Sequence, residues 1–280
     1  MNFPNLIVST ASSLCVIREH NVEVIEYDRA LYFGITWSNE FIFVACNFKE
    51  HDSKIAIFDH KFRPVDQLTV PALNIHQILW NGSLYATLTE ANKIAIVNQF
   101  DGRILTEVYY SGGSVIDGVG EDHTNSVWFD DRGRMWLCDH RQSSRFNRPS
   151  RIRVLERDTK AFEIYAGRNA HNVYTEGDWI YTNNSSEWRF KVVNWRTGDR
   201  KFVDVGGFSR GLGRIPGGFV VGVSKDQPRA ERMSSDSKVV LINDEFEIVD
   251  EVALIGHGDV QDLRVLGISD PSHNGIKLDV

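Results

Sequence analysis

His123-Thr-Asn125-Ser-Val-Trp-Phe-Asp130-Asp131-Arg-Gly-Arg-Met-Trp-Leu-Cys-Asp139-His140-Arg141 contains two short apolar runs, Val127 to Phe129 and Met135 to Cys138, joined by Asp-Asp-Arg-Gly. That connection has the turn chemistry of a β-hairpin. Polar residues stand at both outer ends, His123 and Asn125 at the start and Asp139, His140 and Arg141 at the finish. Packing alone does not select such residues at the tips of an apolar hairpin. The stretch therefore predicts a structural unit that also carries a site.

The unit recurs. Ile35–Trp37 can pair with Phe41–Ala45, Ile78–Trp80 with Leu84–Thr87 across Asn81-Gly82, and Val173–Thr175 with Trp179–Thr182 across Glu176-Gly177. A further hairpin joins the run from Leu212 to Phe219–Val223 across Pro216-Gly217-Gly218. A third strand follows each hairpin: Lys54-Ile-Ala-Ile-Phe-Asp59, Lys93-Ile-Ala-Ile-Val-Asn98, Arg151-Ile-Arg-Val-Leu-Glu156, Arg189-Phe-Lys-Val-Val-Asn194 and Lys238-Val-Val-Leu-Ile-Asn243. Successive copies are 39, 58, 38 and 49 residues apart. Fourth strands are expected at Pro64–Val70, Arg103–Tyr110, Ala161–Ala166 and Phe246–Leu254. Four antiparallel strands in about 40 to 50 residues make one propeller blade.

The two ends complete the pattern. Leu6–Ser9, Leu14–Glu19 and Val22–Tyr27 supply second, third and fourth strands without a first, and Asp262–Leu266 supplies a first strand with nothing after it. Joined, they make a sixth blade and close the circle, which removes exposed sheet edges. The expected fold is all-β: a single six-bladed β-propeller of four-stranded antiparallel blades over residues 1–280. A two-sheet sandwich would not produce a repeat whose broken unit is shared between the termini.

Of the 280 residues, 42% are hydrophobic and 25% charged, and the formal net charge is −7. That charge excludes a general nucleic-acid binder, which needs a basic face. No apolar run approaches the roughly 18 residues of a membrane span. The first residues lack the basic and long apolar regions of a signal peptide, and Cys15, Cys46 and Cys138 sit singly in apolar runs, as buried thiols do. A cytoplasmic protein that binds a small molecule, with no nucleic-acid or membrane partner and no nucleotide cofactor, is the expectation.

First strands line the channel of a propeller, so their starts gather at one mouth. Aligning the hairpins makes Phe33, His76, Asn125, His171, Arg210 and Gln261 equivalent, with His123 and His257 just upstream of two of them. Gln77, Asn172, Asp259 and Asp262 lie beside them. Convergent polar groups in a concavity define the candidate site. His76, His123, His171 and His257 are the candidate ligands of a divalent transition metal (Zn, Mn, Fe or Cu), which would polarise a carbonyl or activate water. Without a metal, Arg210 and Arg141 would clamp an anionic group, Asn125 and Asn172 would add substrate contacts, and His123 or His171 would move a proton. Gly211 would let a ligand approach the backbone. His20, His51, His60 and His273 stand in charged or turn contexts and are expected in solvent, and Asp130 and Asp131 on the far rim.

The segments His76-Gln77-Ile78, His123-Thr-Asn125-Ser126, Ala170-His171-Asn172-Val173 and Phe208-Ser-Arg210-Gly-Leu212 resemble uncharacterised bacterial six-bladed propeller proteins. That resemblance implies the fold and the site positions, and no reaction. The hairpin His123-x-Asn125-Ser with His140-Arg141-Gln is also similar to one in bacterial arylsulfotransferases. This likeness implies sulfate contacts from His123, Asn125 and Arg141, with His171 as the histidine that would carry a sulfuryl group. Virginiamycin-lyase-like and oligogalacturonate-lyase-like propellers offer a further analogy, since they use histidine-lined, metal-assisted sites. The expected function is a metal-dependent hydrolase or lyase acting on a small, oxygen-rich, anionic substrate such as a sugar acid. The alternative is a non-catalytic binding module for an anionic small molecule or glycan.

Overall fold

The computed structural model describes residues 2–47, 52–142, 146–156, 159–269 and 275–278. The repeats become six antiparallel four-stranded sheets in a six-bladed β-propeller. Blade 1 comprises Leu31–Trp37, Ile42–Asn47, Ser53–Phe58 and Pro64–Val70, and blade 2 comprises Ile75–Trp80, Leu84–Leu88, Lys93–Val97 and Ile104–Tyr110. Blade 3 is built from Thr124–Phe129, Met135–Asp139, Ser150–Glu156 and Thr159–Gly167. Blade 4 uses Ala170–Glu176, Trp179–Asn184, Arg189–Asn194 and Arg200–Asp204. Blade 5 uses Phe208–Ile215, Gly218–Ser224, Ser237–Asn243 and Ile248–Leu254.

Blade 6 is the shared one. Val260–Val265 pairs antiparallel with Leu6–Thr10, with Leu6 opposite Val265 and Val8 opposite Leu263, and Ser13–Arg18 and Asn21–Tyr27 follow outward. The C-terminal segment reinforces this seam. Trp37 donates its indole N–H to the Ile276 carbonyl at 3.0 Å, and Leu278 is buried in the same apolar layer.

The core lies between blades. The three inner strands of a blade are covered on both faces, so their alternate residues enter different layers, as expected for doubly buried strands. In blade 6, Ile7 packs with Tyr32, Ile35 and Trp37 of blade 1, while Leu6 and Val8 pack with Val220, Val239 and Leu241 of blade 5. The outer strands differ: Pro64 to Gln67 are all exposed, whereas Leu68 and Val70 turn inward. A two-stranded insertion, Val115–Ile116 with Val119–Gly120, lies between blades 2 and 3 and had no counterpart in the repeat.

One irregularity recurs in the innermost strands and positions the site. Register slips between Tyr32 and Ile35, Ile75 and Ile78, Thr124 and Ser126, His171 and Tyr174, and Arg210 and Leu212. In blade 6 the slip lies opposite Ser9 and Thr10. A bulge leaves its extra residue outside the ladder and re-aims the chain. The residues at these bulges bind the neighbouring blade. Gln77 Oε1 accepts the Val127 N–H at 2.6 Å, Asn172 Oδ1 the Gly211 N–H at 2.8 Å, and Asp262 Oδ2 the Ile35 N–H at 3.1 Å. These contacts form a collar of inter-blade struts around the channel.

Gly211 belongs to that collar too. Its φ is +74°, and an added Cβ would lie 2.9 Å from the Leu263 side chain. Close packing of blade 5 on blade 6, and not approach of a ligand, requires glycine here. No helix among the described residues is long and apolar enough to cross a membrane.

Candidate functional site at the channel mouth

Aromatic rings run around the mouth from blade 1 to blade 5. Phe33 stacks on His76 at 4.9 Å between ring centroids, His76 meets His123 edge-on at 5.0 Å, and His123 meets His140 at 5.1 Å. His140 then contacts His171 at 4.9 Å, and His171 contacts Phe208 at 5.5 Å. The Arg210 guanidinium lies 5.2 Å over Phe208 and reaches the Gln261 amide oxygen, which brings in blade 6. His76, His171 and Arg210, with Asn125, Gln261 and Asp262, line a small cavity of about 10 Å³ at the mouth. That volume suits about one water molecule. A roomier groove of about 290 Å³ runs between blades 6 and 1. Its polar groups satisfy one another, Tyr32 donating to Glu26 at 3.1 Å and Arg29 pairing with Glu26.

His171 has a defined tautomer. Its Nδ1 lies 2.8 Å from Ser185 Oγ, and the Ser185 hydroxyl donates to the Ser209 carbonyl at 2.6 Å. With that proton committed, Ser185 Oγ can only accept, so Nδ1 of His171 carries the hydrogen and Nε2 the lone pair. Nε2 is buried and has no hydrogen-bond partner, and the residue is 6% exposed. Burial holds its pKa well below 6.5, and the charge of Arg210 and the neighbouring His140, His76 and His123 push the same way. His140 is shifted likewise, by burial first and then by His123 and Arg210. Both imidazoles are neutral at pH 7.

His123 and His140 face each other at the mouth of blade 3. His123 has a left-handed backbone, φ +48°, unfavourable for a residue with a Cβ. Asn92 holds it there, since its Oδ1 accepts the N–H groups of Asp122 and His123 at 3.1 and 2.9 Å. The residues preceding both histidines are anchored by arginines. Arg151 binds Asp122 at 2.8 Å and Asp139 at 2.9 Å, and Arg153 pairs with both carboxylates from a buried position.

The other residues singled out in the sequence divide. Arg210 lies in the mouth. Arg141 pairs with Asp122 at 3.2 Å, within the ionic cluster that anchors the histidine loops. Asn125 donates to the Ala170 carbonyl at 3.0 Å and Asn172 serves the collar, so both side chains tie blades together. His257 turns its Nδ1 to Ser13 Oγ at 3.0 Å, beside Cys15. Among the described residues no group of three or more His, Cys, Asp or Glu is placed to hold a metal ion. The imidazoles touch in succession along an arc, and His257 points into blade 6. The residues present therefore do not fit the metal centre expected from the sequence.

His140 was absent from the candidate ligands although its signal was available. In the blade 3 hairpin Thr124 pairs with Asp139, which sets His123 opposite His140. His20 pairs with Asp250 at the surface, His60 contacts the Ser38 carbonyl, and His51 and His273 lie outside the described residues. Asp130 lies in the hairpin turn at the end of blade 3 away from His123 and His140, where it is buried and accepts the Trp136 indole N–H at 2.8 Å. All three cysteines are buried free thiols.

No family model matches the chain, and no curated protein does. Solved structures do. A chain from a nidogen/laminin complex superposes with a TM-score of 0.71 at 9% identity, covering 94% of this chain and 98% of that one. A protein of unknown function from Bacteroides caccae gives 0.65 at 14% identity, with the same coverage. A luciferin-regenerating enzyme gives 0.63 at 10% identity, covering 96% of this chain and 85% of its own. The likeness shows the fold alone. These propellers have unknown or different functions, so any activity must be argued from the mouth itself.

Proposed function

We propose that the channel mouth binds a small, oxygen-rich anion and that His171 acts on it as a general base, in a hydrolase or lyase reaction. The observation that carries this reading is the buried Nε2 of His171, whose lone pair has no partner while Nδ1–H is held by Ser185. An unsatisfied buried nitrogen is costly unless something occupies it in the working state. A neutral imidazole with its lone pair directed into a site suits removal of a proton from water or from carbon beside a carboxylate. Arg210 contributes a permanent cation at the same mouth and orients the anionic group. The free Nε2 also favours a second reading, transfer of a sulfuryl group through that nitrogen, as the arylsulfotransferase likeness implied.

The rival is a binding module that uses the same groups without chemistry. Turnover of a panel of sugar acids and aryl sulfates by wild type and His171→Gln separates the readings. Loss of roughly 10²-fold or more in kcat, with unchanged melting, is the expected result for a general base. Anion binding that persists with no turnover of any panel member in either protein would favour the binding module.

A further inference from the structure

We propose that Arg232 is a second anion-binding residue of the mouth, delivered by the long connection in blade 5, and that with Arg210 it clamps an oxyanion over Phe208. This deepens the reading of the mouth as an anion site and rests on it. Arg232 lies between Ser224 and Ser237, in a polar segment that the repeat does not require. Its guanidinium lies 6.0 Å from the Phe208 centroid, and that of Arg210 lies 5.2 Å from the same ring. His171 touches that ring from its own blade at 5.5 Å. The two cations and the imidazole with the free Nε2 thus share one aromatic platform.

The backbone of Arg232 is fixed, and its guanidinium is placed by Phe208 and Asp259 without completing its hydrogen bonds. Its carbonyl accepts the Asp259 N–H at 2.8 Å, and the Gly258 N–H donates to the Ser235 carbonyl at 2.9 Å. Gln227 donates to the Glu231 carbonyl at 3.0 Å, which ties the segment to itself. The guanidinium contacts Asp259 at 3.5 Å through Nε, without hydrogen-bond geometry, and that Nε is buried with no hydrogen bond. Asp259 is already engaged by Ser235 Oγ at 2.7 Å. The Asp259 carboxylate feels the charge of both Arg232 and Arg210, and Asp226 nearby is exposed. A donor on a pre-organised backbone with an incomplete partner binds an incoming anion at little ordering cost. A carboxylate, sulfate or phosphate supplies the paired acceptors that two guanidiniums match.

The test is calorimetric titration of full-length wild type, Arg232→Gln and Arg232→Lys with sulfate and, separately, acetate; the anion bound more tightly identifies the preferred oxyanion geometry. Sulfate or acetate Kd should rise about tenfold or more in Arg232→Gln, as for loss of a charge-assisted hydrogen bond. Arg232→Lys should fall between, and melting should stay unchanged. In wild type, the Arg232 Nε–H resonance should move on anion addition, a readout that needs no variant. Wild-type affinity in Arg232→Gln, or an Nε–H signal that ignores an anion which shifts the His171 imidazole, would overturn the clamp and leave the mouth standing. No saturable binding and no imidazole shift in wild type would overturn both.

Discussion

Ser185 fixes which nitrogen of His171 can do chemistry. It accepts from Nδ1 at 2.8 Å only because its own hydroxyl donates to the Ser209 carbonyl at 2.6 Å in the next blade. Blade packing therefore selects the tautomer. Ser185→Ala should leave a buried N–H and a buried carbonyl unsatisfied, at about 1–3 kcal/mol. Nitrogen NMR should show a single Nδ1–H tautomer for His171 in wild type and a mixture in the variant.

Acid should destabilise the protein through the imidazole arc. Burial lowers the pKa of both His140 and His171 in the folded state, so below about 6.5 the unfolded chain binds more protons. This contribution is fully present above the unfolded value and is lost as pH falls from about 7 towards the depressed folded values. Each histidine can cost up to about 1.4 kcal/mol per pH unit in that range. Denaturant midpoints between pH 7.5 and 5 should fall in wild type and flatten in His140→Gln or His171→Gln. An unchanged slope in both variants would contradict the assignment.

Asn92 should matter more than its position in a loop suggests. It is fully buried and serves four backbone groups, accepting from Asp122 and His123 and donating to the Gly113 and Ser114 carbonyls. Asn92→Ala should cost about 2–3 kcal/mol and release His123 from its left-handed backbone. Urea denaturation reads the first effect, and the imidazole resonances of His123 read the second.

Two C-terminal truncations test closure separately. Ending the chain at residue 260 removes most of the inner strand of blade 6 and exposes the edge of Leu6–Thr10. Cooperative unfolding should be lost. Ending it at residue 267 keeps that strand but removes the cover over Trp37, so the fold should survive with a lower Tm. Native melting of the shorter protein would refute closure through the termini.

The sequence by itself determined the blades, because a strand's alternation and a turn's glycine are local properties. It determined closure too, since each terminus carries the part of a unit that the other lacks. It also placed His76, His171 and Arg210 at one mouth, because the bulge falls at the same index in each inner strand and re-aims equivalent residues alike. What each side chain then does was decided by contacts between distant segments. Arg141 precedes Arg151, another of the arginines on Asp122, by ten residues, and only the packed blade shows that both cations anchor the histidine loops. His257 lies just upstream of the inner strand of its blade, as His123 does, yet it turns to Ser13, because blade 6 takes its second and third strands from the N-terminus and that hairpin offers hydroxyls there. Arg232 has no signal in the repeat at all, since its connection is irregular and reaches Phe208 only when folded back on Asp259. Local pattern builds the scaffold because it depends on neighbours in the chain. Tautomer, ion-pair choice and the free nitrogen of His171 depend on neighbours in space, and these exist only once the six blades have closed.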